Sequence, residues 1–168
     1  MENYSMRAYQ RETDFETVYE RYCDQCFKTT VYQLTGAYPC PEKKEFEKLV
    51  NRAGSGGMQM ILNGSGKPVG YCCLGQLYRV GWHREVFLTL WEQQEALTEP
   101  ILRELLERAF SLELLKMALC KVTGENAALV VACRKLGMEE VGCIPDYYCY
   151  EGKLYPEYTF ILRRETAE

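Results

Sequence analysis

The chain has no stretch able to cross a membrane, because no apolar run approaches the ~18 residues that a spanning helix needs. Residues 1–10, MENYSMRAYQ, carry no apolar signal-peptide core. A cytoplasmic protein with no membrane partner is the expectation. Positive charge is also short, with 20 Lys and Arg against 24 Asp and Glu and a net charge of −4. Neutralising phosphates takes a basic patch, so no nucleic-acid partner is expected. Histidine is almost missing, His83 being the single one, and the C-x-x-C formed by Cys23 and Cys26 has no second copy. A zinc site on that pair would need two more ligands, which neither a second C-x-x-C nor a histidine pair supplies, and no metal is expected. Repeats, linkers and low-complexity segments are absent too, so residues 1–168 read as one domain.

Hydrophobic residues make up 47% of the chain and charged residues 26%, the balance of an ordinary globular protein with room for a substantial core. Nine cysteines is a high and odd count. With no export signal they are expected as reduced thiols. Cys23 and Cys26 lie three apart inside a helical pattern and read as structural thiols, in preference to a redox pair or a metal site. Cys72 and Cys73 point to opposite faces of a strand and read as packing.

A short strand is expected at Arg7–Tyr9. Glu12–Phe27 has helical spacing, with Thr13 or Asp14 able to cap it. Thr29–Pro41 is broken by Gly36, Pro39 and Pro41, and a second helix follows over about Glu42–Arg52. Gly54–Gly57 is a connector. Met58–Leu62 and Val69–Leu77 form a hairpin around Asn63-Gly64-Ser65-Gly66-Lys67-Pro68. Arg84–Phe110 then reads as a strand (Glu85–Leu90), a polar turn (Gln93–Thr98) and a helix (about Glu99–Phe110) with Pro100 in its first turn. A helix opening directly after a strand aims free N–H groups at whatever sits by the strand's end, which is a ready phosphate site. Leu114–Val122 is a strand, Asn126–Leu136 a helix closed by Gly137, Glu140–Tyr150 a strand bent at Pro145, and Leu154–Leu162 its return after a turn at Glu151–Lys153.

Two motifs sit in this order. Between the strand at Glu85–Leu90 and its helix stands Gln93-Gln94-Glu95-Ala96-Leu97-Thr98. Further on stands Asn126-Ala127-Ala128-Leu129-Val130-Val131-Ala132-Cys133-Arg134-Lys135-Leu136-Gly137-Met138. With the element order, these make the chain resemble the GNAT superfamily of N-acetyltransferases, most of all its ribosomal-protein-acetyltransferase-like branch. The resemblance covers nearly the whole chain. It implies an α/β fold with a central mixed, mostly antiparallel sheet of about seven strands and four helices.

The first motif matches a degraded form of the superfamily's pyrophosphate loop, Gln or Arg, two residues, Gly, one residue, then Gly or Ala. Gln93 fits, Ala96 stands for Gly, Thr98 stands for Gly or Ala, and Glu95 sets a negative charge beside the diphosphate. The resemblance assigns acetyl-CoA, or another acyl-CoA, to Gln93, Gln94, Glu95, Ala96, Leu97 and Thr98, to the strand end Leu88, Thr89 and Leu90, and to Asn126 and Leu129. The thioester carbonyl would be polarised by backbone N–H groups near Leu88–Leu90. Cys133 stands where a tyrosine often acts as general acid, so a thiol would take that role or the acid is lost. Glu85 is the candidate general base, with Glu92 and His83 as lesser ones. Tyr147, Tyr148, Tyr150, Tyr155 and Tyr158 either line an acceptor pocket or cover the sheet. The implied activity is direct acyl transfer to the primary amine of a small molecule or peptide; the alternative is a catalytically impaired GNAT-fold binding or regulatory protein. An exposed edge at the last hairpin would support a homodimer.

Overall fold

The computed structural model describes residues 3–27, 40–51, 57–80, 82–92 and 95–164. The elements are β1 (Tyr4–Ala8), α1 (Arg11–Phe27), α2 (Lys43–Asn51), β2 (Met58–Asn63), β3 (Pro68–Tyr78), β4 (His83–Leu90), α3 (Glu95–Phe110), β5 (Met117–Thr123), α4 (Ala127–Lys135), β6 (Glu139–Tyr150) and β7 (Lys153–Arg163). They build one seven-stranded sheet in the order β1-β2-β3-β4-β5-β7-β6. Every neighbouring pair is antiparallel except β4 with β5, which run parallel. This is the mixed, mostly antiparallel architecture expected from the sequence.

Strand alternation sorts side chains onto two faces. Ile61, Cys72, Val86, Leu88, Ala118, Cys120, Val122 and Phe160 share one buried cluster with α3 (Leu97, Ile101, Leu102, Leu105) and α4 (Leu129, Val130, Cys133). On the other face, Met58 and Met60 pack with Phe15 and Val18 of α1 and Phe46 of α2. Arg7 of β1 clamps Asp14 of α1 with two hydrogen bonds of 2.6 Å, and the Gln10 N–H donates to the same carboxylate at 2.7 Å. These contacts hold the Asp14 carboxyl below its usual range, the Arg7 hydrogen bonds being the main cause.

Several boundaries differ from the sequence expectation. Helix α3 begins at Glu95, so Ala96, Leu97 and Thr98 are helical where a turn was expected. Pro100 removes one donor from that helix, and burial of Leu97 (1% exposed) and Thr98 (3%) favours the extra turn. Strand β5 starts at Met117, not Leu114, because Leu115 turns into the core while Leu114 faces outward. Strand β6 continues through Pro145, with its register to β7 slipping between Ile144 and Tyr148. As an edge strand, β6 tolerates the missing donor. Cys23 and Cys40 form a disulfide with a Cα–Cα separation of 5.0 Å, whereas the sequence was read as having reduced thiols throughout. Cys40 stands 17 residues from Cys23 in sequence, a pairing that no local spacing reveals. The Cys26 side chain and the expected turn residues Gln93 and Gln94 lie outside the described residues.

Candidate active site

The parallel pair at the centre of the sheet is incomplete. Strands β4 and β5 are in register only at His83 with Met117, Arg84 with Ala118 and Glu85 with Leu119. Both then continue, β4 to Leu90 and β5 to Thr123, without pairing. On its other edge β4 stays paired to β3 through Leu90. The result is a fork whose inner β4 edge presents backbone N–H and C=O groups with no strand partner among the described residues. Gly70 of β3 keeps the outer edge tight: a Cβ there would lie 2.2 Å from the Thr89 carbonyl oxygen. Only glycine lets β3 approach at this rung.

The fork opens into a cleft of about 380 Å³. Leu88 and Leu90 of β4, Val122 of β5, and Asn126 and Leu129 of α4 form its wall toward the α3/α4 side. Phe87, Thr89, Lys121 and Thr123 alternate with those strand residues and face the α1 side, where Tyr22 and Gln25 of α1 complete the wall. Glu125 and Glu157, with Tyr71 and Tyr148, close the rim. The cleft therefore reaches from one face of the sheet to the other through the gap between β4 and β5.

Two helix N-termini stand near this gap. Helix α3 starts at Glu95 shortly after β4 ends. Helix α4 is capped by Asn126, whose Oδ1 accepts from the Leu129 N–H at 3.2 Å, as Asn does at an N-cap. The turn before it is held to β7 by the Gly124 N–H donating to the Pro156 carbonyl at 2.7 Å. At its far end Gly137 (φ 71°) donates to the Arg134 carbonyl and Met138 to the Cys133 carbonyl, both at 3.1 Å. This is a Schellman closure, which needs the left-handed residue that glycine supplies.

Of the residues expected from sequence, Leu88, Thr89, Leu90, Asn126 and Leu129 come together in the cleft wall. Ala96 is exposed in the first turn of α3, while Leu97 and Thr98 are buried; none of the three lines the cleft. Gln93, Gln94 and the Glu95 side chain lie outside the described residues. Glu85 sits on the last paired rung, at the closed end of the fork, and is half-buried without entering the cleft wall. Burial raises its carboxyl pKa; Lys121 opposes the shift and Glu157 adds to it.

Cys133 lies apart from the cleft wall. It is fully buried, it does not line the cleft, and its side chain is hydrogen-bonded to Cys120 in the core. Leu129, one turn earlier on the same helical stripe, takes the cleft position, and Cys133 falls one turn deeper. His83 stacks on Tyr78 with ring centroids 4.9 Å apart, also away from the cleft. Among the tyrosines of the last hairpin, Tyr148 lines the cleft, whereas Tyr147 is exposed.

Sequence reasoning missed Lys121, Thr123, Glu157, Tyr22 and Gln25. The available signal was a charged residue inside an otherwise apolar strand, as with Lys121 in LCKVT. Placing it beside Glu157 requires the β5–β7 register, which is not local.

No family model and no curated protein matches the sequence. Solved structures do match the fold. Spermidine N-acetyltransferase from Vibrio cholerae, solved with CoA and spermine, superposes with a TM-score of 0.73 over 95% of both chains at 14% identity. A GNAT superfamily phosphinothricin acetyltransferase from Sinorhizobium meliloti, solved with AcCoA, gives 0.73 over 95% of this chain and 88% of the other at 15% identity. The chain thus has the GNAT acetyltransferase fold.

Proposed function

We propose that the chain is an acyl-CoA-dependent N-acyltransferase that moves acetyl from acetyl-CoA to the primary amine of a small molecule by direct transfer. The parting of β4 and β5 after Glu85 carries this reading. It supplies an open backbone edge inside a cleft that passes through the sheet, so a thioester inserted from the α3/α4 side meets an amine arriving from the α1 side. The resemblance to CoA-binding acetyltransferases points the same way.

In this reading the diphosphate lies at the α3 N-terminus, where Ala96 is exposed and the helix dipole favours an anion. Leu88, Thr89 and Leu90 offer their open edge to the pantetheine arm and to the thioester oxygen. Asn126 and Leu129 bound the opposite wall. The acceptor ammonium first loses a proton. Glu85, set back from the cleft wall, takes it through a water. The nitrogen lone pair then attacks the carbonyl carbon; as the tetrahedral adduct collapses the nitrogen gives its second proton to solvent, the C–S bond breaks, and the CoA thiolate leaves and takes a proton from solvent. Holding the two reactants in line across the fork supplies much of the rate. Cys133 has no part in it.

Isothermal titration with acetyl-CoA, followed by thiol release in the presence of amines, tests the proposal. Saturable micromolar binding and amine-dependent CoA release are expected. No heat at millimolar acetyl-CoA would overturn it. The burial of Cys133 away from the cleft wall favours a second reading: a GNAT-fold protein that binds acyl-CoA without transferring it. Binding with no thiol release from any amine would select that reading.

A further inference from the structure

The cleft wall carries three charged side chains among the described residues: Lys121, Glu125 and Glu157. Glu125, at the turn into α4, is already engaged within the protein. Lys121 and Glu157 form no ion pair or hydrogen bond with any described residue. Their placement follows from the strand register. Lys121 pairs with Thr159 and Thr123 with Glu157, so Lys121 and Glu157 share the α1-side face as diagonal neighbours on β5 and β7. Glu85 lies on the same face one strand over, because it pairs with Leu119, two residues before Lys121. Across three adjacent strands the order is carboxyl, ammonium, carboxylate. Glu85 is withdrawn from the wall, and on the α1-side face the wall offers a ligand one ammonium, Lys121, beside one carboxylate, Glu157, with the Glu125 carboxylate at the rim.

We infer that the acceptor is an amine bearing a carboxylate, an amino-acid-like zwitterion, and that Lys121 selects it. This rests on the acetyltransferase reading above. The ligand carboxylate would take charge-assisted hydrogen bonds from the Lys121 ammonium. The ligand amine would stand toward Glu157 and, once deprotonated by way of Glu85, toward the thioester in the fork. A polyamine laid along the same floor would bring a second ammonium against Lys121, and this like-charge contact disfavours it. The side chain of the acceptor would pass Phe87 and Tyr148, which give the wall an apolar and aromatic part.

The test uses matched pairs that differ only by the carboxylate: phenylalanine and phenethylamine, leucine and isopentylamine, lysine and cadaverine. Each is assayed by CoA release. Each is also titrated directly into the protein saturated with CoA, so that binding is read without turnover. In every pair the amino acid is expected to be favoured about tenfold, the range of a hydrogen bond to a charged group. Lys121→Ala should lower kcat/KM for the amino acid about tenfold more than for its amine, and Lys121→Glu should turn the preference toward cadaverine. Equal or better use of the amines by the wild type, or a Lys121→Ala variant that lowers both members of each pair alike, would overturn the inference. Carboxylate-dependent binding without CoA release would support it while defeating the acetyltransferase reading. Failure of every amino acid to bind would defeat it even if simple amines were acetylated.

Discussion

Across β4, β5 and β7, the side chains directed at α3 and α4 are Val86, Leu88, Ala118, Cys120, Val122 and Phe160, all in one buried cluster. Their immediate neighbours, Glu85, Phe87, Lys121, Thr123, Thr159 and Glu157, point the other way and are half-buried or exposed. One set excludes water; the other holds the charges. Because the side-chain period of a strand is two, adjacent residues in the same strand serve stability and chemistry separately. The outcome of a substitution should therefore follow the face on which the residue lies more than its distance from the cleft. Two thiols on the α3/α4 side belong to the packing set. Burial pushes the Cys72 thiol up to about 12, and the hydrogen bond that Cys120 makes to Cys133, together with burial, pushes Cys120 well above the usual thiol range. These are packing groups, held neutral and unreactive.

The strongest test of that division is Phe160→Ala. Phe160 is fully buried in the α3/α4 cluster, and its strand neighbour Thr159 faces the cleft side. Truncation should cost about 3–5 kcal/mol of unfolding free energy in urea titration, the range for a buried aromatic. A loss under about 1 kcal/mol, with activity abolished instead, would mean that the faces are not separated in function.

A smaller effect, of opposite kind, is expected on the charged face. Glu85→Gln should lower kcat by about a hundredfold, typical for removing a general base. Unfolding free energy should change little, because Gln keeps the volume of the half-buried side chain. The pH profile gives the sign. Burial raises the Glu85 pKa above the usual glutamate value, so the carboxyl stays protonated to higher pH than an exposed one. The acid limb of kcat/KM should therefore lie above the ordinary carboxylate range in the wild type and vanish in Glu85→Gln. An unchanged limb in the variant would assign the proton transfer elsewhere.

The faces themselves were legible in sequence wherever the signal is local. The hairpin at Asn63–Lys67 forms as its Asn-Gly pair suggests, with the Gly66 N–H donating to the Asn63 carbonyl at 2.8 Å and the Asn63 N–H to Lys67 at 3.0 Å. The α4 cap at Asn126 and the closure at Gly137 were likewise readable, since each depends on a few neighbouring residues. Three features were not. The start of α3 was misplaced because Pro100 reads as a first-turn residue, whereas tertiary burial of Leu97 extends the helix. Cys133 was given a chemical role from its spacing to Asn126, which fixes position along a helix but not depth in the core. Lys121 and Glu157 were passed over because they meet only through the pairing of β5 with β7.

Asn126 sits where the two kinds of role overlap, and a pair of substitutions separates them. Its Oδ1 caps α4 through the Leu129 N–H, and the residue also lines the cleft. Asn126→Ala should cost about 1 kcal/mol of stability, the usual value for a lost cap. Asn126→Ser keeps an oxygen able to cap and should restore most of that loss. If Asn126 only caps the helix, acetyl-CoA affinity should recover along with the stability in the Ser variant. If the amide also touches the cofactor, the Ser variant should regain its urea midpoint and still bind acetyl-CoA more weakly than the wild type. The proposed function predicts the second outcome, because the face of α4 that carries Asn126 and Leu129 is the wall opposite the open edge of β4.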